Sequence, residues 1–170
     1  SIYVSEESGG SGLGRMDAAL IFEALSTACP AVAAYISIHN MVAWVLDKFA
    51  NDDQKERWLT PLTNFDKLSS YCLTEPGAGS DAAALATSAR LDGDHYVLNG
   101  VKQFISGAGS SDSYLVMART GDAGAKGISA FMIDKDTPGL SFGANEKKMG
   151  WRAQPTLSLI HISEPTRLLS

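Results

Sequence analysis

Apolar residues recur in helical spacing through the first part of the chain and in short alternating runs through the rest, so the sequence divides into two grammars. Asp17 to Ala28 carries Ala18-Ala19-Leu20-Ile21-Phe22-Glu23-Ala24-Leu25, strong helix formers with apolar residues on more than one face, which predicts a helix packed on two sides. Pro30 is placed to open a second helix at its first turn, running to about Phe49. Asn51 then precedes Asp52 and Asp53 with Gln54 three residues on, a capping-box-like start for a third helix that ends near Trp58 or Leu59, with Pro61 beyond its end.

After Leu68 the period shortens. Tyr71 to Thr74, Thr87 to Leu91, His95 to Leu98, Val101 to Ser106, Tyr114 to Arg119, Ile128 to Ile133 and Leu140 to Phe142 read as strands separated by turn residues. Asp92-Gly93-Asp94 and Asn99-Gly100 are expected to be hairpin turns. The predicted fold class is therefore α+β: residues 1–67 as the end of an all-helical domain, and residues 68–156 as an antiparallel, barrel-like β domain.

One stretch interrupts this pattern with chemistry. Tyr71-Cys72-Leu73-Thr74-Glu75-Pro76-Gly77-Ala78-Gly79-Ser80-Asp81 leads a strand into a turn where proline presets one φ and two glycines permit positive φ or close approach to a ligand. Thr74 and Ser80 add hydroxyls at either end. Such a loop can aim several N–H groups at an anion or a polar ring edge, and it can equally be an ordinary structural turn. Gly77 to Ala82 meets a relaxed dinucleotide-binding fingerprint. That motif requires a βαβ unit, whereas here a short segment leads into a tight antiparallel hairpin, so the nicotinamide reading is rejected. No Gly-Lys-Ser/Thr ending makes it a phosphate-binding P-loop, and no Gly-x-Ser-x-Gly elbow is present. A loop on a β domain that follows a helical block suits a cofactor lying across their junction.

Composition narrows the classes. With 170 residues, 45% hydrophobic, 19% charged and a net charge of -5, the chain reads as globular, and its acidic balance argues against nucleic-acid binding. The apolar window from Ala31 to Leu46 is interrupted by His39 and Asn40 and is read as a buried helix, so no membrane span is expected. Cys29 and Cys72 read as reduced, buried thiols, and His39, His95 and His161 show no metal-ligand spacing, so no metal is expected. No targeting segment is recognisable.

Tyr71 to Asp81, taken with Asn99-Gly100-Val101-Lys102-Gln103-Phe104-Ile105-Ser106, resembles the acyl-CoA dehydrogenase family. The likeness runs from Gly9-Gly10-Ser11-Gly12 through Tyr35 to Asn40 and on to Lys147-Lys148-Met149-Gly150-Trp151, nearly the whole chain. It implies FAD bound among a helical domain, a middle β domain and a C-terminal four-helix domain that this chain would lack. It further implies that Tyr71, Cys72, Leu73 and Thr74 run along the flavin, that Gly79 and Ser80 meet the pyrophosphate, and that Ser80 also lies near the acyl-CoA. Phe104, Ile105 and Ser106 stand where the family has Trp-Ile-Thr, with Phe104 against the ring and Ser106 near N5. Both departures keep an aromatic face and a hydroxyl, and a neutral hydrogen bond contributes only about 0.5–1.5 kcal/mol, so neither should abolish binding. On the residues alone, Phe104 and Ile105 are also plain candidates for strand core.

The implied activity is α,β-dehydrogenation of a short branched-chain, isobutyryl-CoA-like thioester, as in valine breakdown. In the family a glutamate takes the α-proton, the β-hydride passes to the flavin, and electrons go on to electron-transferring flavoprotein. The glutamate is expected in the four-helix domain, so no catalytic residue is named here, and the chain is expected to be inactive alone. The resemblance also implies a homotetramer when full length, in the bacterial cytoplasm or the mitochondrial matrix. A non-catalytic acyl-CoA- or protein-binding module and an acyl-CoA oxidase are the alternatives. Residues 157–170, including His161 and Glu164, depart from the family pattern and read as a non-family tail. Glu75 is expected to be structural, and Asp81 to accept hydrogen bonds from nearby backbone.

Overall fold

The computed structural model describes residues 1–160 and the backbone of residues 165 and 166. Helices α1 (Arg15–Ala28) and α2 (Pro30–Phe49) pack side by side. Pro30 sits in the first turn of α2, where a missing N–H leaves no bond unmade. α1 buries only Ala18, with Met16 and Leu20 exposed, so the packing on two sides expected for it is absent within the described residues.

The capping box at Asn51 forms as the sequence predicts: Asn51 Oδ1 accepts from Gln54 N at 2.9 Å, and Gln54 Oε1 accepts from Asn51 N at 3.0 Å. The helix does not stop before Pro61. α3 (Asp52–Gln54) widens into a π turn at Lys55–Leu59 and continues as α4 (Thr60–Thr63). The π turn resets the hydrogen-bond ladder, so Pro61 falls in the first turn of a new α segment and its absent N–H is tolerated.

The β half holds two sheets. In the larger, β5 (Ser113–Arg119) pairs with β6 (Ile128–Asp134) antiparallel and with β1 (Ser69–Cys72) parallel, and it touches β2 (Ser88–Asp92) through Ser88 and Arg119. β2 and β3 (His95–Asn99) make the predicted hairpin about Gly93, whose φ of 65° glycine takes without strain. The smaller sheet runs β4 (Val101–Ser106), β8 (Thr156–Ile160), β7 (Ser141–Phe142). The parallel β1–β5 pair departs from the all-antiparallel expectation: β1 arrives from the helical half and enters the sheet beside β5 without a hairpin.

Asn99-Gly100 is not a hairpin either. β3 and β4 lie in different sheets, and Gly100 turns a corner there. A Cβ at Gly100 would lie 2.3 Å from Thr87 Oγ1, so glycine is required by close approach. β8 lies beyond the point at which the sequence alone is expected to leave the family pattern, yet it is an integral strand: Leu157 and Leu159 are buried against β4. His161 and Glu164 lie outside the described residues.

Strand alternation builds two cores. Tyr114 and Val116 of β5 and Phe131 and Ile133 of β6 face a β core with Cys72, Leu98, Ile105, Leu157 and Leu159. Leu115 and Met132, on the opposite faces of the same strands, pack with Val42, Leu46, Trp58, Leu59 and Leu62 of the helices. His39 stitches the layers together: Ser69 N–H donates to its Nδ1 at 3.3 Å, and its Nε2 donates to Leu62 O at 3.1 Å. Burial lowers its pKa, and both ring nitrogens are used in the neutral form. Cys72 is fully buried, which pushes its thiol pKa up, while Cys29 is only half-buried.

Candidate functional site

The two motifs singled out by sequence are joined by three short links. Gln103 N–H donates to Thr74 O at 2.8 Å, Lys102 Nζ donates to Leu73 O at 3.0 Å, and the same ammonium meets Glu75 Oε1 at 2.7 Å. Glu75 also accepts from Ala86 N at 2.6 Å and Thr87 N at 3.0 Å, so one carboxylate fixes the loop to both β4 and the start of β2. Its backbone exchanges hydrogen bonds with Ala78, closing the turn over Pro76 and Gly77. Burial alone would raise the Glu75 carboxyl, but its hydrogen bonds from Lys102, Thr87 and Ala86 outweigh that and hold it below the ordinary value. Burial pulls Lys102 below the ordinary lysine value against the opposing pull of Glu75.

Lys102 is 1% exposed. The sequence reading missed it, because strict alternation sets Lys102 and Ile105 on opposite faces and the apolar Ile105 claims the inward one.

Phe104 is the unusual residue of β4. In an unbroken strand it would share a face with Lys102 and point inward. Its φ is 58°, the ladder to β8 shifts register between Lys102 and Ile105, and the ring is 56% exposed. The bulge thus resets the alternation: Lys102 and Ile105 both face inward, and Phe104 is displayed outward. A bulky residue in the left-handed region costs about 1–2 kcal/mol, a strain that collects where function needs a fixed display.

Ser106 is fixed from the helical side. Tyr35 OH lies 2.6 Å from Ser111 Oγ, which lies 2.7 Å from Ser70 Oγ, which donates to Ser106 O at 2.6 Å. Because a carbonyl only accepts, Ser70 spends its proton on Ser106, and the chain must run Tyr35 to Ser111 to Ser70 to Ser106. Gly107, at φ 81°, completes the fit, since a Cβ there would stand 2.4 Å from the Tyr35 ring.

Not every predicted residue presents its side chain. Cys72 and Ile105 are buried in the β core, and Tyr71 packs half-buried against the helical core, so these three offer backbone. Leu73, Thr74 and Ser106 are half-buried, and Gly79, Ser80 and Phe104 are exposed. Among the described residues, the Thr74 hydroxyl and N–H and the Ser106 hydroxyl have no hydrogen-bond partner. Gly77 and Gly79 do not take positive φ, and a Cβ on either would meet nothing within 4 Å, so the loop has open space over it. Asp81 differs from expectation: its main-chain carbonyl, not its carboxylate, receives Ala84 N–H.

An aromatic face, unpartnered donors beside it and an open glycine turn fit a planar, polar-edged cofactor with an anionic tail, as FAD is. A separate cavity of about 240 Å3, lined by Tyr35, Ile36, His39, Phe65, Leu68 and Gln154 among others, lies between α2 and the loops that precede β1 and β8. None of the motif residues lines it.

Residues 1–66 match the N-terminal domain of acyl-CoA dehydrogenases and residues 70–162 match the middle domain. The mitochondrial isobutyryl-CoA dehydrogenase of Bos taurus is 55% identical over 159 residues, which is 94% of this chain and 38% of that protein. The structure of butyryl-CoA dehydrogenase from Megasphaera elsdenii superposes with a TM-score of 0.88 at 35% identity, covering 99% of this chain and 46% of that one. The FAD complex of PigA superposes with a TM-score of 0.90 at 30% identity, covering 99% and 46%. The chain therefore spans between 38% and 46% of the length of these relatives.

Proposed function

The chain belongs to the acyl-CoA dehydrogenase family of FAD flavoproteins, and on that premise we propose that it forms one wall of a flavin site in an enzyme that dehydrogenates a short branched-chain acyl-CoA of the isobutyryl-CoA type. The observation that carries the proposal is the outward, strained display of Phe104 beside the unpartnered donors of Thr74 and Ser106. The substrate class is supported by the 55% identity to the bovine isobutyryl-CoA enzyme.

Each residue then has a role. Phe104 offers its face to the isoalloxazine, and the backbone of Tyr71 to Leu73 borders the ring. Thr74, through N–H and hydroxyl, and Ser106, through hydroxyl, donate to the ring's polar edge. Gly79 and Ser80 lie where exposed N–H groups and a hydroxyl reach the pyrophosphate, Ser80 also bordering the thioester's CoA. When bound, FAD supplies the two-electron acceptor; the protein orients it and tunes it through these hydrogen bonds. Glu75 is not free to act as base in this wall, because its carboxylate is consumed by Lys102, Ala86 and Thr87.

Residues 1–67 and 68–156 serve in this reading as helical and flavin-binding domains, with Leu157–Ile160 extending the second. Electron-transferring flavoprotein is the proposed acceptor and a homotetramer the proposed assembly. The mitochondrial relative and the bacterial solved structure support a matrix or cytoplasmic setting. Purification of the full-length protein that carries this chain tests the proposal: it should retain FAD and be bleached anaerobically by isobutyryl-CoA. A colourless protein, or a yellow one that no short acyl-CoA bleaches, contradicts it, and peroxide formation in air would mark an oxidase.

A further inference from the structure

The Glu75–Lys102 pair does more than fill the interior. Its ammonium holds the Leu73 carbonyl from inside the protein at 3.0 Å. In a trans peptide the C=O of one residue and the N–H of the next point in opposite directions. All peptide bonds described are trans, so fixing Leu73 O inward fixes Thr74 N–H outward, toward the side where it has no partner. Lys102 also begins the bulge that displays Phe104, and Gln103, between them, is bonded to Thr74 O. One buried side chain thereby sets the direction of a donor on the first motif and the start of the strained turn on the second.

We propose that Lys102, held by Glu75, is a positioning residue for the flavin wall: it aims the Thr74 N–H and keeps the Leu73-Thr74 and Phe104-Ser106 segments in register, without itself touching the cofactor. This rests on the flavin reading above. Simple burial of an ion pair does not explain the arrangement, since such pairs are often replaceable by apolar residues at no loss of stability. Here the lysine makes a second bond, to a backbone carbonyl, that an apolar replacement cannot supply.

The test separates stability from positioning. In the full-length protein, Lys102→Met leaves the Glu75 carboxylate buried and unpaired, so it should lower both the melting temperature and FAD affinity. Adding Glu75→Gln removes the orphan charge. The double variant should regain most of the melting temperature yet stay about tenfold weaker for FAD, the factor that about 1.4 kcal/mol makes in a binding constant. Its bound flavin should also show a displaced visible absorption band, because a ring-edge donor is misdirected. If FAD affinity and spectrum return together with the melting temperature, the pair is structural only and the proposal is overturned. Unchanged FAD affinity in Lys102→Met also overturns it. A wild-type protein that binds no FAD overturns the flavin reading beneath it, which is a different result from a yellow wild type with indifferent variants.

Discussion

The loop at Gly77–Gly79 and the turn at Phe104 border the proposed flavin site by opposite means. The loop spends glycines where the backbone is unstrained and a Cβ would meet nothing, while β4 places a phenylalanine at φ 58°, where glycine would be comfortable. Conformation therefore does not explain either choice. The glycines leave room, and the phenylalanine shows its ring outward despite its backbone, which the proposed flavin site would explain. Residue type follows what the site must hold rather than what the local backbone prefers.

The comparison can be broken most forcefully at Gly107, a third glycine of the region that is needed for both reasons. Gly107→Ala would place a Cβ 2.4 Å from the Tyr35 ring at a positive φ, and chemical denaturation should show a loss of about 3 kcal/mol. Next is Phe104→Gly, which should stabilise the apoprotein by about 1 kcal/mol through relief of strain while weakening FAD. Gly79→Ala should sharpen the contrast from the other side: stability should stay within about 0.5 kcal/mol, since the space is open, while FAD titration should show weaker binding. A small loss of stability with no loss of affinity would return the loop to an ordinary turn.

The smallest effect concerns pH, away from the site. His39 is buried neutral with its pKa lowered from 6.5. Its contribution is fully present above that unfolded value and is lost as pH falls below it, because the unfolded chain takes the proton first. Urea denaturation from pH 7 downward should show stability falling below about 6.5. His39→Gln, less stable overall, should flatten that part of the curve.

The helices were legible because their signals are local: Pro30 at a first turn and the Asn51–Gln54 box each act within four residues. Pro61 misled because a π turn resets the ladder, and no short-range pattern announces one. Asn99-Gly100 misled because close packing on Thr87, remote in the chain, demanded the same glycine that a hairpin would. At the candidate site, the motifs named two segments that the fold brings together, but not which side chains face out. Tyr71 and Cys72 turn into the two cores through regular pairing of β1 with β5, while Ile105 turns inward and Phe104 outward because of a bulge that no short-range pattern announces. The bond from Lys102 to Glu75 spans 27 positions, and the bulge breaks the alternation beside it, so no local pattern could mark the lysine as buried or identify its partner.

The most direct measurement is FAD titration, by quenching of flavin fluorescence, of full-length wild-type protein and its Phe104→Gly variant, with the melting temperature of each apoprotein taken alongside. Stoichiometric binding by the wild type is expected, and about tenfold weaker binding by a variant whose apoprotein melts no lower, the factor that about 1.4 kcal/mol of lost ring contact makes. Equal FAD affinity in the two proteins would contradict it, and would leave the strained, outward Phe104 without a role in the flavin site.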